Sequence, residues 1–549
     1  MTQVGLVLGT EDAYPLEFWV GVAEGQYLQL DDVVYVETEV PGLKKGVKIY
    51  GVVDLVRSRY EGARFDSDVF RASEGILPVG IATSAHVSVT RVDPEIYVPP
   101  RPGQAVHRAS GEERDRALFF DTMTRRFPVG LARDGQPLWA DLDYLDGTKG
   151  AHVNIAGISG VATKTSYAMF LLYSLFHHPN TAEAQGVKNA SAIIFNVKGE
   201  DLLFLDRPNA RLRDEHRHIY QAMGLPVGPF QDVRLWAPPA KSNPFELVPD
   251  TDARQDGVGV FCWSLKEFCQ GRLLRFLFAD ADTESQLAYA VAAAERYLFE
   301  KTAGQPRGQA WVQVDGRRLT SFQDLVSLLD EEEKVFSRLA PATVAAFRRR
   351  LWACLDTVGH LIRGDGDLEA EKHRIDPTAH KLSVVHITKL HDQAKRFVVG
   401  VVLKQLLEAK DSQGTREPLL FVVLDELNKY APREGWSPLK EVVLDIAERG
   451  RSLGVILIGA QQTASEVERR VVTNAAFRVT GRLDMAEAER SEYGFLGDFA
   501  RRRAAILTSG SLFFSQPSIP LPVLVRFPFP AWATRHEEAR SPDPWSRLR

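Results

Sequence analysis

A chain of 549 residues that is 44% hydrophobic and 25% charged has an ordinary globular composition, with material for a large core and about three or four domains. A formal net charge of -5 and a pI near 6.3 exclude a global basic field, so any nucleic-acid surface must be local, as in a ring or a channel. Three scattered cysteines, Cys262, Cys269 and Cys354, exclude a disulfide framework and a cysteine zinc site. No window approaches the ~18 apolar residues of a membrane span, and the first residues lack the pattern of a signal peptide, so the expected location is cytoplasmic and away from membranes.

Residues 1–105 hold short runs rich in Val, Tyr and Ile (17–22, 27–36, 48–57 and 86–91), punctuated by Asp31-Asp32 and Pro41-Gly42. This spacing predicts a small β-barrel, read as an assembly platform without chemistry of its own. Pro99-Pro100-Arg101-Pro102-Gly103 is a linker by composition. A polar helical stretch at 112–126 follows, and then a hairpin turning at Arg133-Asp134-Gly135-Gln136.

From His152 the chain reads H-V-N-I-A-G-I-S-G-V-A-T-K-T-S, which is a strand, a turn bearing Gly157 and Gly160, and a helix opened by Lys164-Thr165-Ser166. Such a turn suits phosphate binding. Glycines let backbone N–H groups converge on an anion, the helix N-terminus adds positive charge, a lysine reaches the outer phosphates and the next hydroxyl ligates Mg²⁺. The spacing departs from G-x-x-x-x-G-K-[ST], because Ile158 and Thr163 stand where glycines are required and Gly157 lies one residue early. The turn is therefore a longer variant without its last glycine, and a β-carbon at Thr163 crowds the meeting of backbone and phosphate.

A second buried strand at 191–197 ends in Lys198-Gly199-Glu200-Asp201, and Glu200 there has two readings, catalytic acid or cap of the following helix. These segments make 106–206 the linker hairpin and first part of an ATPase core. Residues 207–381 carry a helical pattern at 261–278, 284–299, 322–329 and 344–361, and are expected to be an all-helical insertion. Within it, Arg348-Arg349-Arg350 reads as a solvated helix face in preference to a phosphate contact.

The core resumes over 382–509. Its decisive segment is P-L-L-F-V-V-L-D-E-L-N from Pro418, an apolar strand that delivers Asp425 and Glu426 at its C-terminal end. A P-loop NTPase needs this pair, the first acid to hold Mg²⁺ and the second to orient the attacking water. A later strand ends in Gln461-Gln462, where Gln461 suits γ-phosphate sensing. Arg449 and Arg451, on the helix before it, are placed to reach a neighbouring subunit's nucleotide or else to pair locally with Glu441 or Glu448. In 510–549, Pro517, Pro520, Pro522, Pro528 and Pro530 exclude a helix and predict an extended tail draped over something else.

Taken together, the barrel, the hairpin into H-V-N-I-A-G-I-S-G, the V-K-G-E-D strand end, L-D-E-L-N-K-Y-A-P, E-R-G-R-S-L-G-V-I-L-I-G-A-Q-Q and the final P-S-I-P-L-P-V-L-V resemble the HerA branch of the HerA/FtsK ATPases over nearly the whole chain. The resemblance implies an α/β fold with a RecA-like P-loop NTPase core, an N-terminal β-barrel, a helical insertion and an extended C-terminal tail bracing a neighbouring subunit. It implies a homo-hexameric ring around double-stranded DNA that uses ATP and Mg²⁺, with the barrel contacting a NurA-like nuclease or another effector, sirtuin-like or nuclease, in DNA end processing or anti-phage defence. By position, Gly157, Gly160, Thr163, Lys164, Thr165 and Ser166 match the nucleotide turn, and Thr165 and Asp425 the metal-holding pair. Glu426 matches the catalytic acid, Gln461 the sensor, and Arg449 or Arg451 the interface arginine. A rival expectation is a ring scaffold that binds nucleotide, hydrolyses it weakly and organises an effector nuclease or NAD-consuming enzyme.

Overall fold

The computed structural model describes residues 2–158, 164–184, 186–242, 246–278, 286–306, 308–366 and 368–539. The chain divides into two compact units, one of residues 1–142 with 478–527 and one of residues 143–477 with the chain from Pro528 on.

In the first unit, six antiparallel strands close a barrel in the order Gln3–Val7, Glu17–Val22, Gly80–Asp93, Val47–Glu61, Val33–Thr38, Ala105–Arg108, the last pairing with the first. Alternation along the strands sends Val4, Phe18, Val20, Val34, Val36, Ile49, Val87 and Val106 inward to one apolar cluster. The longest strand bulges at Tyr50/Gly51. A β-carbon on Gly51 would come 2.5 Å from Val87 Cγ1 and 2.6 Å from Ser88 O, so only glycine lets the strands approach there.

The same unit holds an antiparallel run of strands in the order Phe477–Thr480, Ser511–Ser515, Val523–Arg526, Arg126–Leu131, Pro137–Asp141. The segment expected as a draped tail is thus paired within its own chain. Its prolines do exclude a long helix, but they fall between the strands or beyond them, which leaves Leu512, Phe513, Phe514 and Val525 free to be buried. Further on, Trp532 is fully buried in the second unit, beside Tyr173 and Phe230.

The second unit is a RecA-like α/β core. Its strands run parallel in the order Val258–Val260, Val233–Ala237, Leu382–His386, Ser191–Asn196, Leu420–Asp425, Val455–Gln461, Val153–Ala156. The central strands are buried at every position, as continuous apolar runs covered on both faces must be. Helices Lys164–His177, Asp392–Gln413 and Pro438–Leu453 connect them. The last stops at Gly454 (φ +71), where a β-carbon would sit 1.8 Å from Arg416 O.

The region 207–381 is not all-helical. Val233–Ala237 pairs with Leu382–His386 and Val258–Val260 extends the edge, so the sheet continues past the point where the periodicity suggested it had stopped. Runs of three to five apolar residues are equally compatible with strand and helix, and here the sheet edge decides between them. Among the described residues the α-helices of this region are Asp214–Ala222, Leu265–Gln270, Gln286–Thr302, Phe322–Glu331 and Pro341–Val358. On the last, Arg348 pairs with Asp330 at 3.5 Å while Arg349 and Arg350 are exposed, as a solvated face requires. Among the described residues no helix is long and apolar enough to cross a membrane.

Candidate functional site

Parallel pairing brings the C-terminal ends of Val153–Ala156, Val455–Gln461, Leu420–Asp425 and Ser191–Asn196 to one edge of the sheet, where such folds bind ligands. The Gly157 N–H donates to Gln461 O at 3.2 Å, tying the start of the phosphate turn to the neighbouring strand. Gly160 and Thr163 lie outside the described residues. Lys164 opens its helix and, with Thr165 and Ser166, lines a pocket of about 460 Å³ together with Asn196, Lys198, Asp201, Asp425 and Gln462. That volume lies within the range of about 300–1,000 Å³ usual for small-molecule sites.

The two motifs meet directly. Thr165 Oγ1 donates to Asp425 Oδ2 at 3.0 Å, and Asp425 Oδ1 accepts the Glu426 N–H at 2.9 Å. Glu426 takes φ +58, a left-handed conformation that costs a side-chain-bearing residue about 1–3 kcal/mol and is tolerated where the surroundings impose it. Its Oε1 is ion-paired with Lys198 and accepts from Gln462 Nε2 at 3.4 Å, and Lys198 Nζ lies 3.7 Å from Asp425 Oδ2.

Charge is balanced within this cluster. Burial disfavours the charge on Lys164 and, aided by Lys198, lowers its pKa against the opposing pull of Glu426 and Asp425. Burial also pushes Glu426 upward, but the bond and charge of Lys198, then the charge of Lys164, prevail and hold its carboxyl below the ordinary value. For Lys198, burial is outweighed by Glu426 and Asp425, and the ammonium is held more firmly than an ordinary lysine's. The buried Glu426 carboxyl is thus kept as an anion by the two lysines that face it.

Thr165 and Asp425 present hard oxygens of the kind Mg²⁺ selects. Among the described residues no group of three or more His, Cys, Asp or Glu could hold a metal alone. Mg²⁺ beside a triphosphate needs only one or two protein donors, with phosphate and water supplying the rest, so the residues present fit that ion.

The remaining expected residues are distributed differently. Gln461 is fully buried and its Nε2 donates to Asn154 Oδ1 at 2.9 Å, so the side chain that faces the pocket is Gln462. Strand alternation turns neighbouring side chains to opposite faces, and the sequence pattern left open which of two adjacent glutamines was which. Arg449 pairs with Asp445 at 3.1 Å and Asp411 at 3.0 Å, and Arg451 donates to Gly147 O at 3.0 Å and Thr148 O at 2.8 Å. Neither lines the pocket. The expected local partners also differ, since Glu448 pairs with Arg470. Glu200 accepts the Asp252 and Ala253 N–H groups, both at 2.6 Å, and serves to clamp that loop.

Five residues of the pocket wall were not assigned from the sequence. Lys198 stands in V-K-G-E-D, two residues beyond a strand end, where the acids that follow carry the stronger local signal. Gln462 was visible as the second of a pair. Trp532, Thr534 and Arg535, which complete the pocket wall, gave no local signal, because their placement depends on the chain returning over more than 300 residues to Asn209, which donates to Trp532 O at 3.3 Å.

The sequence matches no family model and no curated protein. Solved structures similar to the chain include VirB4 of Thermoanaerobacter pseudethanolicus, at 16% identity over 73% of this chain and 96% of that one, with a TM-score of 0.44. The plasmid coupling protein TrwB bound to a non-hydrolysable ATP analogue is 13% identical over 78% of this chain and 94% of its own, with a TM-score of 0.47. The genome packaging NTPase B204 from Sulfolobus turreted icosahedral virus 2, in complex with AMPPCP, is 12% identical over 27% of this chain and 69% of its own, with a TM-score of 0.21.

Proposed function

We propose that the chain is an ATP- and Mg²⁺-dependent motor of the HerA/FtsK kind, acting as a hexameric ring on double-stranded DNA. In this reading the barrel is the contact for a nuclease or another effector in DNA end processing or defence against phage. The observation that carries the proposal is the Thr165–Asp425 hydrogen bond with Glu426 beside it and Lys164 at the helix start. Phosphoryl transfer to water asks little covalent help of a protein, only positioning and charge stabilisation. Lys164 binds outer phosphates, Thr165 and Asp425 hold the ion, Glu426 orients the attacking water and Gln462 monitors the outer phosphate. Held by Thr165 and Asp425, Mg²⁺ would supply the positive charge that offsets what develops on the transferred phosphoryl group. Arg449 and Arg451, on the last turns of their helix, are the candidates for action on a neighbouring subunit's nucleotide.

ATP hydrolysis with and without duplex DNA tests this for the parent, Lys164→Ala and Glu426→Gln. The expected result is DNA-stimulated turnover in the parent and its loss in both variants; parent-level turnover in both would exclude this site.

The longer phosphate turn and the Lys198–Glu426 ion pair favour a second reading, a ring scaffold that binds nucleotide and turns it over slowly while organising an effector. Salt-sensitive DNA binding with stimulated hydrolysis supports the motor. Tight effector binding through residues 1–105 without stimulation supports the scaffold.

A further inference from the structure

Lys198 stands two residues past strand Ser191–Asn196, on a turn fixed from both sides. Asn196 Nδ2 and Thr388 Oγ1 both donate to Gly199 O, at 3.0 and 2.9 Å, and Gly199 takes φ +56. From this turn the lysine reaches across to the acidic pair, touching Glu426 and standing 3.7 Å from Asp425. The two carboxylate side chains are 6% and 7% exposed, whereas Lys198 is 48% exposed. The cation therefore sits on the solvent side of the pair and lines the pocket that Lys164 and Thr165 open into.

We propose that Lys198 is a second phosphate-binding cation of this site, resting on Glu426 in the nucleotide-free chain and passing to the outermost phosphate when a triphosphate enters. The inference rests on the reading of Glu426 as the acid that orients water. That acid must lie beside the attacked phosphorus, so a cation touching its carboxylate lies at the outer end of the triphosphate. A terminal phosphate carries more charge and more acceptor oxygens than a carboxylate, so the exchange is downhill for the ammonium. Its consequence falls on Glu426. Once Lys198 leaves, the carboxylate oxygen it occupied is open to accept a hydrogen bond from the attacking water. Arrival of the outer phosphate thereby arms the acid. A diphosphate, which lacks that group, leaves the pair closed.

The test is calorimetric binding of a non-hydrolysable ATP analogue and of ADP, both with Mg²⁺, to the full chain as parent, Lys198→Ala, Lys198→Arg and Lys164→Ala. Lys198→Ala is expected to weaken the analogue about tenfold or more, the scale of one charge-assisted hydrogen bond, and to leave ADP nearly unchanged. Lys198→Arg should recover part of the loss, and Lys164→Ala should lose both ligands. Equal weakening of analogue and ADP, or weakening of neither while Lys164→Ala loses both, overturns the assignment of Lys198 and leaves the site standing. A parent that binds neither ligand overturns the reading of the site, and this inference with it.

Discussion

The hydroxyl of Thr165 donates to Asp425 Oδ2 at 3.0 Å across 260 residues of chain. One residue lies in the first turn of helix Lys164–His177 and the other closes a strand two positions away in the sheet from Val153–Ala156, so their contact brings the two segments to one point. Asp425→Asn should remove the gain in nucleotide affinity that Mg²⁺ confers, a loss of about 1.5–3 kcal/mol if the carboxylate acts as a charged partner. Titration of a non-hydrolysable analogue with Mg²⁺ and with a chelator measures this directly. A variant that still gains as much from Mg²⁺ as the parent would remove Asp425 from the ion's shell.

Glu426→Gln keeps the shape of the side chain and its contact with Gln462 but discards the charge that holds Lys198. Turnover should fall about 10²–10⁴-fold, the usual worth of a positioned base, while analogue affinity is retained. Rates and affinities measured on the same preparation separate this from misfolding. A fall in affinity that matches the fall in rate would make Glu426 a binding residue only.

Both halves of this site were legible in the chain because each lies on a buried strand that ends abruptly in polar residues. An apolar run followed by Asp425-Glu426, or by a glycine turn and Lys164-Thr165, announces a parallel strand and the side on which its chemistry is delivered. The barrel was legible for a related reason, its strands being short, Val-rich and interrupted by Asp, Pro and Gly. What stayed hidden depends on tertiary placement. Val233–Ala237 joins the sheet only because Leu382–His386 offers an edge, and Gln461 and Gln462 differ only in the face to which alternation turns them. The prolines of the tail ruled out a helix correctly, yet a strand fits between Pro522 and Pro528, and only packing reveals that one forms.

The two glutamines give a sharp contrast. Gln462→Ala removes a side chain from the pocket and from Glu426, so turnover should drop while the unfolding midpoint holds. Gln461→Ala leaves buried Asn154 Oδ1 without its donor, an expected destabilisation of about 1–3 kcal/mol. Urea unfolding and steady-state rates on both variants decide it. If Gln461→Ala costs activity without stability, Gln461 and not Gln462 is the sensor.

Trp532 packs the segment from Pro528 to Ala539 against helix Lys164–His177. Its ring lies 4.9 Å from that of Tyr173, on helix Lys164–His177, and 4.8 Å from that of Phe230. Trp532→Ala should cost about 3–5 kcal/mol through the cavity it leaves, and should weaken nucleotide binding because the pocket wall and the helix both lose support. Unfolding midpoints with and without nucleotide check both effects. An unchanged midpoint would show that the terminal segment is not anchored as described.

Acid should destabilise this fold through a histidine that has no part in the chemistry. His152 is buried immediately before strand Val153–Ala156, and its Nδ1 accepts the Leu457 N–H at 2.9 Å, a bond that protonation at that nitrogen would break. Burial lowers its pKa to about 4, against about 6.5 for an unfolded chain. Between those values the unfolded state binds the proton more readily. The stability contribution is therefore complete above about pH 6.5, is lost as pH falls toward 4, and amounts to roughly 3 kcal/mol for this one group. His360, lowered to about 4 chiefly by burial, contributes with the same sign. His152→Asn retains an acceptor and tolerates the left-handed backbone at this position (φ +69), but does not titrate. Urea midpoints measured from pH 7 to pH 4 should fall less steeply in His152→Asn than in the parent, and parallel slopes would assign the acid sensitivity to other groups.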